Sequence, residues 1–218
     1  MRALATVLIL SALCAVLPGW PAARAATLGE ARIGFSAERV LVVNGRRFVG
    51  PMWQMPGVQR QEQQLPAIKP VFLLFADRPY GEILLPQLHT VVQIPLPRAF
   101  ALLDDPRLLR HPVGHQTIDG IATTKYAVAI AAPAGRATGS LWLSRDGIAM
   151  RCDAVFRARG GQVATIHWEL HDVRIGPQPA VLFTVPRGYK LLPAAAVAPL
   201  LGLRLPKPRR ADPAAPPR

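Results

Sequence analysis

Short apolar runs of strand length, each closed by a turn signal, recur along the chain from Val40 to Ile175. Val40-Leu41-Val42-Val43 runs into Asn44-Gly45, the strongest short hairpin signal, and Arg46 to Gln54 returns as the second strand. Pro56-Gly57 closes it, Val58 to Leu65 is polar and Gln-rich, and Val71 to Phe75 is continuously apolar. Asp77 to Gly81 turns into Glu82 to Leu85, and His89 to Pro95 alternates polar with apolar positions. Gly114 to Ile118, the Asp119-Gly120 turn and Ile121 to Ile130 form another hairpin signature, and Ala137 to Ser144, Ile148 to Ala158 and Val163 to Ile175 complete the series. Only Arg98 to Arg110, with Ala99, Phe100, Leu102, Leu103, Leu108 and Leu109 on roughly one side, has helical spacing, and Pro106 divides it.

The pattern predicts a mainly β (α+β) domain: a curved antiparallel half-barrel sheet of about ten strands, running as a meander, with a short helical plug on its concave side. A doubly wound fold is excluded, because it needs helices between most strands. Strand parity nominates Phe72 and Leu74, Tyr126, Val128 and Ile130, Leu141 and Leu143, and Ile166, Trp168 and Leu170 as inward residues.

Both ends fall outside this pattern. Met1-Arg2, the uncharged apolar stretch from Ala3 to Val16, the breakers Pro18, Gly19 and Pro21, and the small-x-small triplet Ala23-Arg24-Ala25 read as a cleavable signal peptide, residues 1–25. The apolar stretch is shorter than the roughly 20 residues a bilayer span requires. Residues 193–218 are rich in Pro and Ala and hold Lys207, Arg209 and Arg210, and they read as a disordered tail. The β domain is thus expected over residues 26–192, in the periplasm.

Lys plus Arg number 26 against 13 Asp plus Glu. The excess is dispersed, with Arg46-Arg47 and Arg209-Arg210 the adjacent basic pairs, and in an exported chain it favours an anionic membrane surface as partner and excludes nucleic acid. Of two cysteines, Cys14 leaves with the signal peptide, so no intramolecular disulfide is expected. Cys152 alternates with Met150, Ala154 and Phe156 and reads as a small buried hydrophobe.

The motif Phe35-Ser36-Ala37, the run Pro56-Gly57-Val58-Gln59-Arg60-Gln61-Glu62, and Val113 to Gly120 leading to Thr124-Lys125-Tyr126 carry a family resemblance. So do Gly139-Ser140-Leu141-Trp142-Leu143 before Asp146-Gly147, and Gly176 to Phe183 followed by Val185-Pro186-Arg187-Gly188-Tyr189, the most specific segment. With these the body resembles the periplasmic lipoprotein-carrier superfamily, the LolA/LolB-like proteins and their outer-membrane lipoprotein-sorting relatives. The resemblance implies a half-open barrel whose concave apolar face receives a lipid or lipoprotein acyl chain without changing it. Phe72, Leu74, Tyr126, Val128, Leu141, Leu143 and Trp168 are then the ligand-binding candidates, and Arg60 and Lys125 are the headgroup candidates.

Two other readings stay open. On His167-Trp168-Glu169-Leu170-His171, alternation puts His167, Glu169 and His171 on one strand face, a set able to ligate zinc or iron in an enzyme. No second motif supports it, and neither a nucleophile elbow nor a phosphate-binding glycine loop is present, so no catalytic residue, metal or cofactor is expected. Alternatively Trp53 and Trp142, flanked by basic residues, could anchor a partner in an envelope protein-interaction module.

Overall fold

The computed structural model describes residues 31–65, 68–95, 108–132, 135–193 and 196. Twelve strands form one open curved sheet: β1 (Phe35–Val43), β2 (Arg46–Met55), β3 (Val58–Glu62), β4 (Val71–Phe75), β5 (Tyr80–Leu85), β6 (Thr90–Pro95), β7 (Leu109–Ile118), β8 (Ile121–Ala132), β9 (Gly135–Ser144), β10 (Ala149–Ala158), β11 (Val163–Ile175) and β12 (Lys190–Leu192). Among the described residues the helical content is short, including the 3-10 turns Pro86–Leu88 and Ala180–Phe183. The proposed plug over Arg98 to Arg110 lies outside the described residues up to position 107, and Leu109 and Arg110 open β7 instead. The signal peptide lies outside the described residues too, as does nearly all of the tail.

The strand order is β12-β6-β5-β4-β3-β2-β1-β11-β10-β9-β8-β7. The expected single meander is therefore two, β1 to β6 and β7 to β11, zipped together where β1 pairs antiparallel with β11. The count exceeds ten because the polar stretch Val58–Glu62 forms β3 and Lys190–Leu192 adds a strand parallel to β6, a pairing that no local pattern announces. Hairpin chemistry explains the adjacent pairs. Asn44 and Gly45 both have positive φ, as do Asp119 and Gly120, which is what a two-residue turn of matching twist requires. Asn44 also accepts the Thr165 N–H through its side chain at 2.8 Å, tying the first hairpin to β11.

Register through the paired positions separates two faces. One carries Phe35, Ala37, Arg39 and Leu41 of β1, Phe48, Gly50, Met52 and Gln54 of β2, Gln59 and Gln61 of β3, and Phe72 and Leu74 of β4. Leu41 then leads through Trp168, Cys152 and Leu141 to Tyr126. The sheet bends toward this face, since a Cβ at Gly139 would meet the Asp153 carbonyl oxygen at 2.0 Å and one at Gly50 the Glu62 carbonyl oxygen at 2.1 Å. Glycine at these points lets the neighbouring strand fold in.

The core sits in three clusters. Phe35, Ala37, Met52, Ile118, Trp142, Ile148, Met150 and Leu170 close one end of the sheet. Ile83, Leu85 and Val92 pack on the concave side of β5 and β6, while Val71, Leu73, Phe75, Leu84 and Val91 pack on the convex side. The segment after β11 lays Val185 and Tyr189 over that convex cluster, and Lys190 N–H donates to the His89 carbonyl at 2.9 Å. The segment that carries the strongest family resemblance is thus a strap over the back of the sheet. At the far edge, β7 is broken by Pro112 and by a register shift between Pro112 and Gly114, features that blunt edge-to-edge pairing.

Candidate functional site

The concave face holds the candidate site. Tyr126, Val128, Phe156, Ile166 and Trp168 all project there by register, and each is only half-buried. Leu74, Leu141 and Leu143 are buried on the same side, and Phe72 is half-buried. Register therefore brings all seven ligand-binding candidates to one face. At the end of that face a cavity of about 830 Å³ is lined by Tyr126 and Leu143 together with Arg32, His115, Thr117 and Thr124.

The two headgroup candidates lie on the other side. Arg60 pairs with Trp53 and Leu73 on the convex face, where it binds Glu62 at 2.6 Å, donates to the Leu182 carbonyl at 2.8 Å and lies 5.7 Å from the centre of the Trp53 ring. Lys125 pairs with Trp142, and its Nζ stands 4.9 Å over that ring. Alternation is the reason: Arg60 and Lys125 are odd steps away from the inward Gln61 and Tyr126. Arg60 fastens the strap and Lys125 covers a tryptophan.

Trp142 itself is no exposed anchor. Only 4% of it is accessible, its ring is flanked by Lys125 and Arg151, and its Nε1 donates to Gln116 Oε1 at 2.9 Å.

The histidine motif is on the convex face as well. His167 Nδ1 meets Asp153 Oδ1 in a close contact, His167 and His171 each approach Glu169 at 3.9 Å, and Arg151 joins Asp153 at 3.1 Å and Glu169 at 3.6 Å. This is a ladder of alternating carboxylates and basic side chains across β10 and β11, in which Arg151 bridges Asp153 and Glu169. Among the described residues no group of three His, Cys, Asp or Glu side chains is arranged to hold a metal ion.

Cys152 lies on the concave face between Leu141 and Trp168. Burial, reinforced by the neighbouring Asp153 charge and opposed by a hydrogen bond with Trp168, pushes its thiol up to about 12. It is therefore a neutral, unreactive lining group at ordinary pH.

One concave-face feature was not singled out from the sequence. Arg39 reaches from β1 across side-chain-free Gly50, its paired residue on β2, and its Nη1 donates to Gln61 Oε1. Gln61 then donates to Gln59 at 2.9 Å and Gln59 to Gln54 at 3.2 Å, a relay of neutral amides. Desolvation lowers Arg39 to about 10, which still leaves it cationic at neutral pH. The signal was present: in Phe35-Ser36-Ala37-Glu38-Arg39-Val40-Leu41, the arginine occupies an apolar-face parity, and the Gln-rich third strand supplies its partners.

No protein-family model and no curated protein matches the chain. Solved structures do. An uncharacterized conserved protein from Thermus thermophilus aligns with a TM-score of 0.50 at 12% identity over 75% of this chain and 92% of that one, which shows a shared fold. A chain of the MucA/MucB complex of Pseudomonas aeruginosa aligns at TM-score 0.44 and 18% identity, over 70% of this chain, which spans 56% of that one's length. The structural neighbours also include a LolA superfamily protein from Nitrosomonas europaea, at TM-score 0.37 and 8% identity over 74% of this chain and 94% of that one. A protein of the superfamily that the sequence motifs resemble is therefore among the structural neighbours.

Proposed function

We propose that this domain is a periplasmic binding protein that holds an apolar or amphipathic ligand, a lipid or a protein-borne acyl chain, against its concave face and leaves it chemically unchanged. The observation that carries the reading is the row of half-exposed apolar side chains, Tyr126, Val128, Phe156, Ile166 and Trp168, on the inside of the bend. A contiguous apolar surface of this kind is stable in water only at a cost, and a ligand that covers it lowers that cost. Phe72, Leu74, Leu141 and Leu143 form the floor. The dispersed positive charge of the chain suits a protein working beside anionic membrane surfaces.

Val128→Gln tests this reading. The position is half-buried, so the variant should fold, and uptake of a fluorescent fatty-acyl probe should fall by about tenfold relative to the parent. Equal uptake by the folded variant, or none by the parent, would refute the proposal.

A further inference from the structure

Five carboxylates of the strands share one face. Glu38, Glu62, Glu82, Asp153 and Glu169 all occupy convex register positions, whereas the concave positions of β1 and β2 carry Arg39 and Arg46. Arg39 makes no ion pair among the described residues, and its partner is the neutral amide of Gln61. Arg46 lies 5.7 Å from the centre of the Phe48 ring, and its Nη1 is buried with no hydrogen-bond partner among the described residues. A desolvated guanidinium without a counter-charge destabilises a fold, and an anion bound beside it offsets that cost. The Gln61-Gln59-Gln54 relay holds the Arg39 fork in place without neutralising it.

We propose, building on the apolar-ligand reading, that the ligand is an anionic amphiphile whose singly charged carboxylate-type headgroup is bound by Arg39 at the centre of the concave face. The flanking surfaces fit this arrangement. Leu41 and Trp168 lie on one side of the arginine and Met52, Phe72 and Leu74 on the other, so a chain leaving the headgroup meets apolar side chains either way. A guanidinium receives carboxylate and phosphate oxygens through the same fork. Arg46 stands four residues along β2 from Gly50, the partner of Arg39, so a single guanidinium meets the headgroup and balances one charge, which favours the carboxylate over a phosphate monoester, whose charge at neutral pH is nearer two.

The test uses the whole chain with N-phenyl-1-naphthylamine, a neutral fluorescent apolar probe, displaced by hexadecanoate, hexadecyl phosphate or hexadecanol. Hexadecanoate should compete at a concentration at least about tenfold below that of hexadecanol, with hexadecyl phosphate between them. Arg39→Gln should bind the probe as the parent does yet lose the preference, and Arg39→Lys should keep part of it. Unliganded Arg39→Gln should melt no lower than the parent, and hexadecanoate should raise the melting temperature of the parent only. Equal competition by acid and alcohol while the probe still binds would overturn this inference alone, as would an Arg39→Gln variant that keeps the preference or fails to fold. Hexadecyl phosphate competing best would overturn the single-charge headgroup. A parent that binds no probe would overturn the apolar-ligand reading, and this inference with it.

Discussion

The two halves of the sheet bury their side chains differently. In β4 to β6 both faces are closed: Leu73, Ile83, Leu84, Leu85 and Val92 are each at most 1% exposed, and they split between the convex and concave clusters. In β8 to β11 one face is apolar and half open, while the other is a ladder of Lys125, Arg151, Asp153, His167, Glu169 and His171. The first half reads as continuous apolar runs and the second as alternation, which is how two-sided and one-sided burial are written in a strand. A closed half fixes the fold, and an open half leaves apolar surface partly exposed.

The largest effect should come from the closed half. Leu73→Ala should cost about 3 kcal/mol of unfolding free energy, because the side chain is fully buried and its site is walled by Phe75, Leu84 and Val91. Val128→Ala in the open half should cost less than about 1 kcal/mol. Urea denaturation of the two variants would show the contrast, and equal losses would mean that the halves are packed alike. Next in size is Gly139→Ala, expected to cost about 2 kcal/mol, since its Cβ would sit 2.0 Å from the Asp153 carbonyl oxygen and force β9 from β10 at the bend.

Cys152 reports on the open half through pH. Its folded-state value near 12 exceeds the ordinary 9.0, so the unfolded chain releases the thiol proton first. The stabilising contribution is whole below pH 9 and is lost as the pH rises from there toward 12. Equilibrium unfolding of Cys152→Ala against the parent should therefore show the parent's margin shrinking across that window, and a pH-independent margin would place the thiol in water. The smallest effect is expected from Lys125→Ala, which removes a cation from one side of the Trp142 ring and should cost under about 1 kcal/mol, read by the same denaturation.

Much of this was legible in the residues. Turn chemistry at Asn44-Gly45 and Asp119-Gly120 fixed the hairpins, and parity put Phe72, Leu74, Tyr126, Val128, Leu141, Leu143 and Trp168 on one side. Parity also placed Arg60 and Lys125 on the opposite face, so their assignment to a headgroup ran against evidence already in the alternation. Leu109 and Arg110 had helical spacing, but pairing with Ala129 and Val128 drew them into β7, an instance of long-range hydrogen bonding overriding local periodicity.

The sequence by itself determined the strands, the turns and which side chains share a face, because these depend on backbone preference and a period of two residues. Only the tertiary structure decided that β1 joins β11, that Lys190–Leu192 runs parallel to β6, and that the 176–189 segment straps the back of the sheet. It also decided that Arg39 reaches Gln61 over Gly50 with no ion pair among the described residues. Those outcomes join residues far apart in the chain. Which pairings form depends on the balance of chain entropy, burial and charge over the whole sheet, and no local window of sequence contains that balance.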